Sequence, residues 1–159
     1  TNIFSEIYRW NGSQFTLLQR VHSEGARDWE AFSIGDRHFL ALANLWGSTN
    51  SPNTAEKPKV YEWTGSQFVV TQAFDAYVMS WRHFMVNDRH YLLSAGWDSG
   101  GTRVYRWNGT EFELHQGIQT PGAFDASFFS IGGNQYYAAV SIYYVNGSYQ
   151  TESKVYKFE

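Results

Sequence analysis

The sequence predicts an all-β chain built from repeated four-stranded units, and three observations carry that prediction. Aromatic residues make up 19% of the 159 positions, with seven Trp, eleven Tyr and twelve Phe, and such side chains favour half-buried pleated surfaces. Fourteen Gly stand against three Pro, which suits many tight turns between short strands. The third observation is internal repetition, which precedes any reading of single elements. The string Ile7-Tyr8-Arg9-Trp10-Asn11-Gly12-Ser13-Gln14-Phe15 recurs from Val60 to Phe68 and from Val104 to Phe112, and a shortened copy runs from Val155 to Phe158. A second block, Phe32-Ser33-Ile34-Gly35, recurs at Phe84 to Asn87 and at Phe129 to Gly132.

Taken in order, the elements begin with two N-terminal strands within residues 3–20. Unit 1 covers about residues 26–72, unit 2 about 76–116 and unit 3 about 122–159, all in one repeat domain. In unit 1 the strands run Trp29 to Ile34, His38 to Asn44, Lys59 to Trp63 and Gln67 to Gln72. The first turn is marked by Gly35-Asp36, Asn87-Asp88 and Gly132-Gly133 in the three units. Asn11-Gly12 and Asn108-Gly109, between alternating runs, are strong hairpin signals. These Asn, with Asn146, also match the N-glycosylation pattern, and turn chemistry accounts for them. Trp10, Trp63 and Trp107 repeat at strand positions, as do Phe15, Phe68, Phe112, Phe32, Phe84 and Phe129. All nine are expected to pack the interior.

Composition removes several function classes. Twelve basic against fifteen acidic residues leave a net charge of −3, a poor footprint for nucleic-acid binding. No apolar run approaches the roughly 18–20 residues of a membrane helix, so no membrane insertion is expected. The absence of cysteine removes disulfides, thiolate zinc sites and a cysteine nucleophile. Starting at Thr1, with no charged-then-apolar leader, the chain reads as a mature or trimmed form. No catalytic constellation stands out. His38 and His90 repeat in equivalent Asp-Arg-His turns, where unit 3 has Gln135. No pair of ligands has metal spacing, so no enzyme activity, metal or cofactor is expected.

The strings Ile7 to Phe15, Gly25 to Gly35 and Phe39 to Asn44 resemble the EAR repeat, also called the EPTP or epitempin repeat. The resemblance spans the chain and is weaker in unit 2, where Ser80-Trp81-Arg82 replaces Asp28-Trp29-Glu30. In unit 3 only Gly122-Ala123-Phe124-Asp125 survives from that block. The resemblance implies β-propeller blades, usually seven, in non-enzymatic recognition domains of secreted and cell-surface proteins. Three blades cannot close a ring, since propellers have about four to eight. The expected solution is a homodimer closing as a six-bladed propeller, the C-terminal strands of one copy sharing a blade with the N-terminal strands of the other. That arrangement leaves one third-strand copy surplus, and a monomeric β-trefoil is the structural alternative.

Candidate binding residues lie in the loops of one propeller face. Between strands 2 and 3 of the units these are Trp46 with Asn50, Trp97 with Asp98, and Tyr143 with Asn146. Between strand 4 and the next strand 1 they are Arg27, Asp28 and Trp29, then Trp81 beside Arg82, then Asp125. Asp28 and Asp125 also sit near the expected channel, where capping backbone amides competes with holding a cation. Aromatic planes beside short polar side chains suit sugar stacking, and the same mixture suits protein hot spots. The pattern therefore predicts a secreted, multivalent carbohydrate-binding protein, with recognition of an extracellular protein as the alternative.

Overall fold

The computed structural model describes residues 3–44, 56–98 and 100–158. Thirteen strands and no helix are found there: β1 (Phe4–Trp10), β2 (Phe15–His22), β3 (Ala26–Ile34), β4 (Arg37–Asn44), β5 (Lys59–Trp63), β6 (Phe68–Ala73), β7 (Ser80–Val86), β8 (Arg89–Ala95), β9 (Thr102–Trp107), β10 (Phe112–Ile118), β11 (Ala123–Ile131), β12 (Gln135–Ile142) and β13 (Lys154–Phe158). They form four separate antiparallel sheets. β1-β2 stand as a pair, β3-β4-β5-β6 form blade 1, β7-β8-β9-β10 form blade 2, and β11-β12-β13 form blade 3. Every sheet is a meander in chain order, which is blade architecture and not the barrel of a trefoil. The inner strands β3, β7 and β11 pack side by side, so the blades fan out in an arc.

The turns show why these residues make hairpins. Asn87 and Asp88 both have positive φ, at 49° and 59°, giving the two-residue turn whose twist matches the flanking strands. The Asn-Gly loops differ from that form. Asn11 keeps negative φ and its side-chain oxygen accepts the N–H groups of Ser13 and Gln14, both at 3.0 Å. Asn108 does the same for Thr110 and Glu111. These are four-residue loops closed by an Asn side chain acting as a backbone carbonyl.

Two cores separate the blades. Between blades 1 and 2 lie Phe32, Phe39, Val60, Trp81, Tyr105 and Phe112; between blades 2 and 3 lie Phe84, Tyr91, Leu93, Val104 and Val140, with Phe128 and Phe158 packed against them. The same chemistry recurs at equivalent places. Phe32 stacks on His83 at 4.7 Å, and Phe84 stacks on Phe128 at 3.8 Å. Three of the repeated aromatics depart from the expected interior. Phe15 is 68% exposed, Trp10 54% and Phe129 39%, because among the described residues no blade covers the outer side of β1-β2 or the far face of blade 3.

The outer strands are tied across blades by glutamine. The Gln19 amide donates to the Phe68 carbonyl and accepts the Phe68 N–H, both at 2.8 Å. Gln72 repeats this on Phe112, at 2.7 and 2.9 Å. Each side chain thus substitutes for a strand neighbour and satisfies a donor and an acceptor.

Candidate functional site

At the centre of the arc a single arginine joins all three blades. Arg82 on β7 donates from Nη1 to Asp28 Oδ2 on β3 at 2.8 Å, and from Nη2 to Asp125 Oδ1 on β11 at 3.0 Å. Asp28 Oδ2 also accepts the Trp81 N–H at 3.0 Å, and Glu30 accepts the His83 N–H at 2.7 Å. Amide capping is therefore one of Asp28's roles, and the Arg82 guanidinium takes the place between the two carboxylates. Burial raises the Glu30 pKa, against the lowering effect of its hydrogen bond from His83 and of Arg82's charge. Burial also pushes His83 down to about 4, with the neighbouring His90 adding to the shift.

Beside this hub the loops make a cavity of about 740 Å³. Its lining comes from all three blades: Arg27 from β3, Tyr77 and Met79 before β7, Trp97 and Asp98 after β8, Phe124 on β11 and Tyr143 after β12. The aromatic side continues outward, since the Trp97 ring lies parallel to Tyr144 within 5° and Tyr149 packs on both tyrosines. Backbone geometry fixes this wall. Gly122 has φ of +73°, its carbonyl accepts the Tyr143 N–H at 3.0 Å, and a Cβ there would stand 2.0 Å from the Tyr144 carbonyl oxygen.

Four of the expected residues, Arg27, Trp97, Asp98 and Tyr143, thus meet in one cavity. Asp98, however, is turned onto its own loop. Its Oδ1 accepts the N–H groups of Gly100 and Gly101, and its carboxylate pairs with Arg103 at 3.0 Å. Asn146 holds a turn at φ of 50° away from the cavity lining. Trp81 is completely buried between Phe74 and Tyr105, because β7 turns that ring into the inter-blade core and not onto the face. Trp29, its equivalent in blade 1, packs at 5.9 Å from Tyr61. Asp28 and Asp125 belong to the Arg82 hub. Trp46 and Asn50 lie outside the described residues. Tyr77, Met79 and Phe124 were not singled out from the sequence; Phe124 sits in the Gly-Ala-Phe-Asp string that unit 3 retains, which was the available signal.

Among the described residues no helix is long and apolar enough to cross a membrane, and no group of three or more His, Asp and Glu could hold a metal ion.

Comparison with known proteins supports the blade reading. The EPTP domain matches residues 14–64, 67–108 and 111–159. The thrombospondin-type laminin G domain and EAR repeat-containing protein of Mus musculus is 33% identical over 140 residues, covering 80% of this chain and 20% of that protein. Leucine-rich repeat LGI family member 3 of Macaca fascicularis is 28% identical over 203 residues, covering 97% of this chain and 36% of that protein. The chain thus spans a minor part of these relatives' lengths. A solved structure of RS223-Beta-xylosidase superposes with a TM-score of 0.50 over 73% of this chain and 43% of its own, at 13% identity, a likeness of fold alone. On three matched repeats that together contain twelve of the thirteen strands, the chain belongs to the EPTP domain family.

Proposed function

We propose that this chain is a non-enzymatic recognition module of secreted or cell-surface proteins, binding a protein partner through the aromatic cavity on its loop face. One observation carries the reading: Arg27, Tyr77, Trp97, Phe124 and Tyr143, from three blades, line a single cavity while Tyr77 and Tyr143 remain about half exposed. Large, half-exposed aromatics around an arginine are the composition of protein hot spots. A sugar site needs free hydrogen-bonding groups beside its aromatic plane, and here Asp98 is spent on its own loop while Asn146 is not among the lining residues. Protein recognition is therefore preferred to the lectin function expected from the loop sequences, and the EAR resemblance favours the same class. Closure of the arc into a six-bladed homodimer is part of this reading, because among the described residues nothing covers the outer side of β1-β2 or the far face of blade 3.

The test is cross-linking of the tagged protein to extracellular material, followed by identification of the retained protein and titration against it. A Trp97→Ala/Tyr143→Ala variant should lose at least tenfold in affinity and keep its far-UV spectrum and melting temperature. Unchanged affinity would displace the site from this cavity. Selective glycan-array binding, competed by free sugar, would return the lectin reading.

A further inference from the structure

Three outer-strand phenylalanines and three glutamines four residues later follow one pattern: Phe15 and Gln19, Phe68 and Gln72, Phe112 and Gln116. The first two glutamines each reach the phenylalanine of the next outer strand. Gln19 holds Phe68, and Gln72 holds Phe112. One glutamine and one phenylalanine are left over. Among the described residues Gln116 has no such strand beside it, and no glutamine clamps Phe15, which pairs only with Trp10.

The space beside Gln116 has the form of the missing partner. At the junction of blades 1 and 2, Phe112 packs edge-on to Phe32 at 5.8 Å and lies 5.0 Å from Trp107. At the junction of blades 2 and 3 the corresponding residues are Phe84 and Phe158, and they line, with Gln116, Phe128 and Tyr156, a cavity of about 260 Å³. No phenylalanine fills it. The uncovered face of blade 3 matches in the same way. Phe129, Ile131 and Val155 of blade 3 stand where Phe32, Ile34 and Val60 face blade 2, and they are 39%, 55% and 64% exposed. Trp29 of blade 1 stands where Trp81 faces blade 1 from blade 2, and here β1-β2 occupies the neighbouring blade's place, packing on it through Ile7 and Val21.

We propose that β13 of a second copy replaces β1 beside β2, so that Phe15 enters that copy's cavity and Gln116 of the second copy clamps the Phe15 backbone. The inference rests on the homodimer reading above and gives it a register. The family match supports the exchange, since its three repeats begin at residue 14 and leave β1 out. With β2 as the fourth strand of the second copy's blade 3, every repeat strand has a place, and β1 is the surplus third-strand copy. The contact is head to tail, and two such contacts close a ring.

Light scattering across a dilution series tests this. The full chain should weigh twice its 18.3 kDa. Phe15→Ala and Gln116→Glu should each weaken association at least tenfold, with far-UV spectra unchanged because both residues lie on the surface. Mixing the two variants should restore part of the doubled mass, since one junction of a mixed pair is intact. A single-chain mass at all concentrations would overturn both the inference and the homodimer. A doubled mass indifferent to both substitutions would overturn the inference alone and leave a homodimer with another interface. Val155→Asp, on the uncovered face of blade 3, gives an independent disruption that does not touch the clamp, and association unaffected by it would also overturn the arrangement.

Discussion

Replacing Arg82 by Met should loosen all three blades at once. Methionine keeps much of the apolar stem and removes the guanidinium. Two charge-assisted bridges are then lost, to Asp28 at 2.8 Å and Asp125 at 3.0 Å. A hydrogen bond to a charged group contributes about 1.5–3 kcal/mol when well shielded. Here the side chains of Asp28, Arg82 and Asp125 are 25%, 32% and 43% exposed, so solvent screening reduces each bridge to about 1 kcal/mol. The two carboxylates, left without their shared cation, add a further fraction. The expected loss is about 2–3 kcal/mol, which lowers the melting temperature of a domain this size by about 4–12 °C. Calorimetry in low salt reads it directly. Asp28→Asn is the control, because one oxygen accepts both the Trp81 N–H and Arg82 Nη1, so its amide oxygen keeps both hydrogen bonds and only the charge is lost, and its shift should be less than half as large. If Arg82→Met melts within about 1 °C of the native chain, the hub does not hold the blades together and the argument fails.

Acid should destabilise the protein through His83. Its folded pKa of about 4 lies below the ordinary 6.5, so between these values the unfolded chain takes up a proton that the folded chain refuses. Stability is therefore full above pH 6.5 and falls towards pH 4, by roughly 3 kcal/mol at most. Glu30, raised by burial, acts in the opposite sense and gains stability as pH falls through its raised pKa. His83→Phe, which copies Phe128 in blade 3, should flatten the profile, as chemical denaturation between pH 4 and 7 would report. Gly122→Ala should cost more than about 1 kcal/mol, since it combines positive φ with a clash against Tyr144. It should also weaken partner binding, because the Tyr143 N–H bond shifts with it; an unchanged melt would refute the close approach.

The repeat made the strands legible, and it did so through the alternation and turn residues that each strand carries locally. Phe32, Phe84 and Phe112 are interior as their recurrence suggests. What recurrence does not reveal is whether a neighbouring blade exists to cover a given copy. Phe15 and Phe129 share the spelling of buried residues and are exposed for that reason alone. The site was half legible. Trp97 and Tyr143 announce themselves as large aromatics in polar loops, whereas Trp81 looks similar in sequence and turns inward by the parity of its strand. Asp98 has the right chemistry for a ligand, but two glycines and Arg103 lie closer. The sequence places Arg82 on the same face as Asp28 and Asp125, but its bridging of both is hidden because only unit 2 carries arginine at that place; units 1 and 3 have Glu30 and Ser127. The glutamine clamps were visible all along as a phenylalanine followed four residues later by glutamine.

The matched repeats are out of phase with the blades: residues 14–64 hold β2 and then β3 to β5, so each repeat supplies the outer strand of one sheet and three strands of the next. The unit that duplicates is thus not the unit that folds. Blades 1 and 2 are each stitched from two repeats, three strands from one and the outer strand from the next, so no seam between repeats falls between those sheets. The same stagger denies independence to any single repeat, whose outer strand has no third strand to pair with until its neighbour is made. Adjacent blades thereby share a repeat, with cooperativity handed from one sheet to the next like overlapping shingles.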